Sequence, residues 1–213
     1  MRAWPLAALL ACASPALACS VVPGYRIPTN LELVADADLI VLGRVVAGDE
    51  AAQKHLGRLR VDPIETLKGA MPGGPIAIEG ARAVAAGQVD LSNPHELAHA
   101  HPDSFTGACI RRNFARGTTV LFFLRRGPDG RWHPAGGAFS RWAEDVPIEG
   151  APWPRLVRFY AEVAAVPVHR RRAMLEAERD RLLAGADDPA NALLAAEIAR
   201  QIARQIARLP APR

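Results

Sequence analysis

Residues 95–99, with the sequence HELAH, have the residue types and spacing of a zinc hydrolase motif. On an α-helix this spacing places both histidines on one face, where they can ligate Zn²⁺ while the glutamate polarises the attacking water. His101 adds another ligand two residues further on. One hypothesis is therefore a zinc-dependent hydrolase that uses His95, Glu96, His99 and His101.

The surroundings of this segment favour a loop over a catalytic helix. Pro94 directly precedes it, Pro102 ends it within two turns, and residues 87–93 before it are mostly polar, whereas the motif needs a helix long enough to hold both ligands. We predict that residues 81–107 form an inserted loop with one short helix. Three interpretations stay open: catalytic zinc, adventitious or structural metal binding by the histidines, and a polar loop without metal.

Other catalytic patterns are missing from the sequence. It contains no Gly-x-Ser-x-Gly segment, and Gly73-Gly74-Pro75 is a turn signal rather than a phosphate-binding loop. We therefore predict no catalytic residue and no cofactor, and zinc at the HELAH segment is the alternative. Trp132, Trp142 and Trp153 are predicted to be exposed near the junction of two regions described below, where they cover the seam or form a binding patch.

Composition and charge exclude several classes of protein. Of the 213 residues, 50% are apolar and 23% charged, which is too apolar and too evenly charged for intrinsic disorder. The net charge is only +4, and the basic residues are not concentrated in one stretch with aromatic residues among them. This argues against a nucleic-acid partner. No run of 18 apolar residues is present that could span a membrane.

The first 18 residues predict export. Met1-Arg2 is a short positive start, residues 6–13 are an apolar run, and Ala16-Leu17-Ala18 has the small-x-small pattern of a signal-peptidase site. We therefore predict a signal peptide over residues 1–18 and a periplasmic or secreted mature protein that begins at Cys19. A lipoprotein signal would also place a cysteine here, but the order of Ala16 and Leu17 favours ordinary cleavage.

Cleavage after Ala18 would leave two cysteines, Cys19 and Cys109. Two thiols in an oxidising compartment most simply form one disulfide. Such a bridge closes a loop of about 90 residues, worth roughly 4–5 kcal/mol in the chain-entropy account. If Cys19 instead carries a lipid, Cys109 is left as an odd thiol and the protein is anchored to a membrane.

Residues 19–150 have the pattern of a small β domain. After a helix predicted over Leu31–Ala37, the segments predicted as strands are Leu39–Val46, Leu59–Leu67, Pro75–Ile78, Thr118–Leu124, Arg131–His133 and Gly136–Arg141. Pro63 lies inside the second of them and demands a bulge or an edge position. The Gly127–Gly130 turn predicts a hairpin. Five or six short antiparallel strands with a small helix indicate a closed barrel or a sandwich.

From about residue 152 onward the apolar residues recur at helical spacing. Helices are predicted over residues 155–165, 168–184 and from Pro189 onward. The last helix has a narrow apolar stripe at Leu194, Ile198, Ile202 and Ile206, which predicts packing against one neighbour. The arginine-rich faces, including residues 170–172, are predicted to be solvated. Residues 151–213 therefore form a predicted helical appendage.

Several segments between residues 19 and 146 follow one another in a characteristic order. They are Cys19 with a short helix after it, residues 37–45, the strand that ends in Thr66-Leu67-Lys68-Gly69, and Cys109 followed by residues 113–124. This order resembles the netrin-like domains related to tissue inhibitors of metalloproteinases, especially their bacterial secreted versions. The resemblance implies an OB-type five-stranded barrel whose N-terminal cysteine is pinned by a disulfide to the segment of Cys109.

The resemblance also implies a role for the start of the mature chain. In those inhibitors, the α-amine and carbonyl of the first cysteine chelate the zinc of the target protease. Here that role falls on Cys19, with Ser20 beside it, while Val21 stands where the inhibitors have a second cysteine. An α-amine has a pKa near 8, so it can offer a lone pair at neutral pH.

Together these patterns predict a mainly β protein with α-helices: a small antiparallel OB-like barrel over residues 19–150 and a helical appendage over 151–213. The function that we predict is that of an exported, non-enzymatic binding protein with a protein partner, such as a protease-inhibitor-like module. The alternatives are the zinc hydrolase and a lipid-anchored structural protein of the envelope.

Overall fold

The computed structural model describes residues 21–48, 57–185 and 187–206. The signal peptide predicted over residues 1–18, Cys19 and Ser20 lie outside these ranges. The elements, in chain order, are α1 (Asn30–Asp36), β1 (Leu39–Gly48), β2 (Arg58–Lys68), β3 (Ile76–Glu79), β4 (Arg82–Val84), a 3₁₀ helix (Pro102–Phe105), β5 (Asn113–Ala115), β6 (Thr119–Arg126), β7 (Trp132–Pro134), β8 (Ala143–Asp145), α2 (Pro152–Ala165), α3 (Val168–Ala184) and α4 (Pro189–Ile206).

Five strands close into a small barrel in the order β1-β2-β3-β7-β6, with β6 returning to pair with β1. The predicted fold class, an OB-like barrel followed by helices, is confirmed. One feature differs from the all-antiparallel prediction: β3 and β7 run parallel and meet at Ile78 and Trp132. β8 extends the sheet along β6, and β4 forms a separate parallel pair with β5.

The strand β1 carries apolar residues on both faces because both faces are covered. Leu39 and Val41 lie in the core inside the barrel, and Ile40 lies in a second core between the barrel and the helices. Pro63 of β2 lies opposite Gly43, beside a shift in register, which confirms the predicted bulge. A Cβ at Gly43 would come within 2.3 Å of the Val61 side chain, so only glycine fits there.

The segment Gly136–Arg141 is not a strand, contrary to the prediction. Gly136, Gly137 and Phe139 all have positive φ angles, which a β-strand cannot accommodate. The last strand, β8, follows this loop. The prediction that Trp142 and Trp153 are exposed is also wrong, because they are 0% and 3% exposed and lie in the two cores.

The helix α1 is capped by side chains at both ends. Thr29 and Glu32 form a reciprocal capping box at its start. At its end, the Lys68 ammonium donates to the carbonyls of Val34 and Ala35 at 2.8 and 2.9 Å. These contacts fix α1 against the barrel wall.

The helices of residues 152–206 share one hydrophobic core with the outer face of the barrel. α2 buries Leu156, Val157 and Tyr160 in the same cluster as Ile40 and Phe123 of the barrel. The predicted stripe of α4 is buried at Leu194, Ile198 and Ile202, and Ile206 is the last residue of that helix. The appendage is therefore a layer packed on the barrel.

The arginine run at residues 170–172 is only partly solvated, contrary to the prediction. Arg171 donates to the carbonyls of Val166 and Ala164 at 3.0 and 2.9 Å, and so caps the C-terminal end of α2. Arg172 forms an exposed pair with Glu176. No helix in the described part of the chain is long and apolar enough to cross a membrane.

Candidate functional site

The HELAH segment is an irregular turn, and the short helix of this insertion lies at Pro102–Phe105 instead. Glu96 Oε1 accepts hydrogen bonds from the amides of Ala98 and His99 at 2.5 and 3.0 Å. Burial acts to raise the pKa of Glu96, but these hydrogen bonds outweigh it and the pKa is lowered overall. The carboxylate thus closes its own turn and is a weakened proton acceptor.

The three histidines of this segment have different environments. His95 and His99 are exposed, and His99 Nδ1 lies 3.4 Å from Glu96 Oε2. His101 is buried: its Nδ1 accepts from the Asp103 amide at 3.1 Å, and its Nε2 lies 3.0 Å from the Asp90 carbonyl. Both ring nitrogens of His101 are therefore engaged in holding the loop. Among the described residues, no group of three or more His, Cys, Asp or Glu could hold a metal ion.

A buried ion pair fastens the insertion to the end of the barrel. Arg111 Nη2 and Asp145 Oδ2 are 2.7 Å apart, and both side chains are almost completely buried. Ser92 donates its amide to Asp145 and accepts the Asp145 amide on its hydroxyl. Phe114 lies under the guanidinium at 4.5 Å. Nothing in the local sequence around Arg111 signals this role, because its partners are 19 and 34 residues away.

A second buried arginine, Arg141, lies beside the HELAH turn. Its Nε donates to Glu144 at 3.2 Å, its Nη2 donates to the Glu96 carbonyl at 2.8 Å, and its guanidinium stacks on Trp153 at 4.3 Å. Within the described part of the chain its Nη1 is buried and has no hydrogen-bond acceptor. The side chain is 6% exposed, so this is a desolvated cation with one unused donor group.

Arg141 lines a cleft of about 640 Å³ between the insertion, the segment before α1 and the end of α4. We name it the Arg141 cleft. The described residues that line it are Tyr25, Arg26, Ile27, Pro28, Thr29, Asn30, Ala98, His99, Ala100, Phe105, Phe139, Arg141 and Arg204. They include three arginines and one histidine, but no aspartate or glutamate. The cleft therefore combines cationic groups with an aromatic and aliphatic wall.

The aromatic wall of the cleft rests on a strained loop. Phe105 and Phe139 stack with ring centroids 5.6 Å apart, and Phe139 has a φ of +57°. The loop is held by the Phe139 amide, which donates to the Cys109 carbonyl at 2.7 Å, and by the Tyr25 hydroxyl, which donates to the Ala138 carbonyl at 2.6 Å. Strain of this kind is concentrated at functional sites in proteins.

Cys109 joins this loop to the predicted N-terminal tether. It has a φ of +56° and is disulfide-bonded. The two other cysteines, Cys12 and Cys19, lie outside the described residues, so the pairing of Cys19 with Cys109 stays a prediction. Tyr25 and Cys109 both contact the loop at Ala138–Phe139, and only five residues separate Cys19 from Tyr25.

A buried carboxyl group lies behind the cleft. Asn30, which lines the cleft, donates to Glu197 Oε1 at 2.6 Å, and Arg200 donates to Glu197 Oε2 at 2.8 Å. Burial raises the pKa of Glu197, and the nearby charges of Arg200 and Arg141 only partly offset this. This carboxyl therefore couples protonation to the packing of α4 against α1.

Glu197→Gln is expected to flatten the pH dependence of stability. Because the pKa of Glu197 is raised on folding, its contribution favours the folded state fully below its usual pKa of 4.5 and is lost as the pH rises through the folded value. Between pH 4.5 and neutrality, the free energy of unfolding should fall more in the wild type than in the variant. Urea titrations at several pH values measure this. Glu162→Gln, at an exposed position of α2, is the control and should keep the wild-type profile. Equal slopes for Glu197→Gln and wild type would contradict the expectation.

A larger groove of about 720 Å³ is lined by residues of β2, β3 and β7. Its charged groups pair with each other: Glu79 contacts Arg58 at 2.8 Å and Arg131 at 3.6 Å. Arg126 stacks on Trp132, which is half-buried in β7. Among the described residues, none that lines this groove has a buried polar side-chain atom without a partner, whereas Arg141 has one, so the Arg141 cleft is the candidate site.

Comparison with known proteins assigns no relative. No protein-family model matches the chain, and no curated protein is significantly similar to it.

Proposed function

We propose that this chain is an exported, non-enzymatic binding protein that captures a protein partner in the Arg141 cleft. The observation that carries the proposal is the cleft itself, where the half-exposed Phe105 stacks on Phe139 beside a buried, partly unpartnered arginine. Aromatic residues and arginine are the side chains that most often dominate the energy of protein interfaces. The strained loop under Phe139 holds this surface in place before a partner arrives.

The proposal includes kinship with netrin-like domains and the Cys19–Cys109 disulfide. It is supported by the closed five-stranded barrel and by the disulfide-bonded state of Cys109. A bridge from Cys109 to Cys19 would bring the start of the mature chain to the loop that carries Phe139, next to the cleft. In that arrangement the α-amine of Cys19, with Ser20, would belong to the same binding surface.

The hydrolase hypothesis receives less support from the geometry. Glu96 closes its own turn, and both ring nitrogens of His101 hold the insertion. His99 is exposed on the rim of the cleft. Ala98 and His99 line the cleft, so the role that we assign to the HELAH segment is to form part of the wall of a binding site.

The proposal is tested by capture of partners from the exported fraction of the source cells. Phe105→Ser is expected to lower the recovery of each specific partner at least about tenfold, because it removes an aromatic anchor from the cleft. Leu183→Ser is the matched control, since Leu183 is an exposed apolar residue of α3 outside the cleft. This control should retain wild-type capture.

Two results would overturn the proposal. One is equal capture by wild type, Phe105→Ser and Leu183→Ser, which would move binding away from the cleft. The other is stoichiometric zinc in the native protein together with hydrolysis of a general peptide substrate that Glu96→Gln abolishes. The second result would establish the hydrolase in place of the binding protein.

A further inference from the structure

We infer that the Arg141 cleft recognises the C-terminal carboxylate of a polypeptide whose last residue is apolar or aromatic. This inference deepens the proposed function and rests on it. It names the part of the partner that enters the cleft and the group that holds it.

Arg141 has an unused hydrogen-bond donor. Arg141 Nε donates a hydrogen bond to Glu144 and Nη2 donates one to the Glu96 carbonyl, but Nη1 has no acceptor among the described residues. A buried donor of a charged group is costly to leave unpaired, and a carboxylate is the acceptor that best matches a guanidinium. Trp153 on one face and Glu144 on one edge hold the group in a single orientation.

The charged side chains of the described chain that line the cleft are all basic. Besides Arg141, the cleft is lined by Arg26, His99 and Arg204, and no acidic side chain of the described chain lines it. Arg26 is paired with Glu32 at 2.9 Å and His99 lies 3.4 Å from Glu96, whereas Arg204 is exposed at the end of α4. In such a setting an anion gains attraction without facing a carboxylate in the wall.

An apolar wall lies next to these basic side chains. Ile27, Pro28 and Ala98 line the cleft together with the stacked Phe105 and Phe139. A single anionic group beside an apolar pocket matches the end of a polypeptide, where the terminal carboxylate and the last side chain leave the same Cα. The His99 side chain is 76% exposed and Phe105 is 50% exposed, so both can contact a chain end that enters the cleft.

The test uses fluorescently labelled hexapeptides of sequence GSGSAF and GSGSAS, each as the free acid and as the C-terminal amide, with the full chain in anisotropy titrations. The free acid ending in phenylalanine is expected to bind at least about tenfold more tightly than its amide, because the amide lacks the charge-assisted hydrogen bond. The free acid ending in serine is expected to bind severalfold more weakly than the one ending in phenylalanine.

Arg204→Glu and Phe105→Ser locate the binding site without disturbing the core. Arg204→Glu should weaken binding of the free-acid peptide several times more than binding of the amide. Phe105→Ser should remove the preference for a terminal phenylalanine over a terminal serine. Arg170→Glu, at an exposed position of α3, is the matched control and should behave as wild type. Arg141→Gln should also abolish binding of the free-acid peptide. However, this variant leaves the buried Glu144 without its partner and can destabilise the fold, so the test relies on the two surface variants.

The outcomes separate this inference from the proposed function. Equal affinity for acid and amide, or no binding of any peptide, overturns the inference, while cleft-dependent capture of a partner would still uphold the proposed function. Binding of the acid that Arg204→Glu and Phe105→Ser leave unchanged also overturns it, because the site would lie elsewhere. If capture itself proves independent of Phe105, both the inference and the proposed function fail.

Discussion

Arg111→Met is expected to lower the free energy of unfolding by about 3–5 kcal/mol, because it leaves Asp145 buried without its counter-ion. The same change removes two hydrogen bonds from Arg111 Nη1, to Ser92 and to the Ala143 carbonyl, and frees the insertion from β8. Urea unfolding monitored by tryptophan fluorescence measures the loss directly.

The controls for this experiment separate burial from charge. Arg158→Met breaks the exposed pair with Glu65, which has the same 2.7 Å separation, and should cost less than about 1 kcal/mol because solvent screens it. The double variant Arg111→Met/Asp145→Asn should be less destabilised than the sum of its single variants, since no charge is left unpaired. Equal effects of Arg111→Met and Arg158→Met would contradict the account of the buried pair.

Ending the chain after Gly150 is expected to abolish cooperative folding of the barrel. The fully buried side chains that α2 contributes are Trp153, Leu156, Val157, Tyr160 and Val163. Each contributes on the order of 1.5–3 kcal/mol, so their sum is comparable to the whole stability of a typical domain. The truncated chain should bind a hydrophobic dye and lack a sigmoidal urea transition.

Two further measurements check the same conclusion. Leu156→Ala in the full chain should cost about 2–5 kcal/mol while the chain keeps a single unfolding transition, because barrel and helices share one core. Phe159→Ala, at a partly exposed position of the same helix, should cost less. A stable, cooperatively folding fragment that ends at Gly150 would show that the barrel is an independent domain.

The elements that the sequence predicts well are those whose signals are local. The cap at Thr29 precedes α1, the Gly127–Gly130 turn forms the hairpin between β6 and β7, and Pro63 lies at the bulge. In each case a few neighbouring residues determine the backbone conformation, so periodicity and turn residues are sufficient. The segment Gly136–Arg141 shows the limit, because its glycines serve a strained loop that packs on Tyr25 rather than a strand.

The roles of the residues in the candidate site depend instead on contacts between distant segments of the chain. The HELAH segment matches a motif, yet its glutamate closes a turn and the neighbouring His101 is buried among backbone groups. Arg141 is an ordinary arginine in the sequence, and its role depends on Glu96, which is 45 residues away along the chain. Sequence patterns contain no signal for such contacts.

By itself, the sequence determined a series of short strands with helices after it, since alternation, helical spacing and turn residues act over a few neighbouring positions, and the resemblance to netrin-like domains favoured a barrel over a sandwich. Only the tertiary structure decided that these helices cover the barrel, that Arg111 and Arg141 are buried, and that a cationic, aromatic cleft lies between α1, α4 and the insertion. The physical reason is that burial and charge pairing depend on which distant segments meet. The energies of burial and charge pairing therefore depend on the tertiary contacts and cannot be read from neighbouring residues in the sequence.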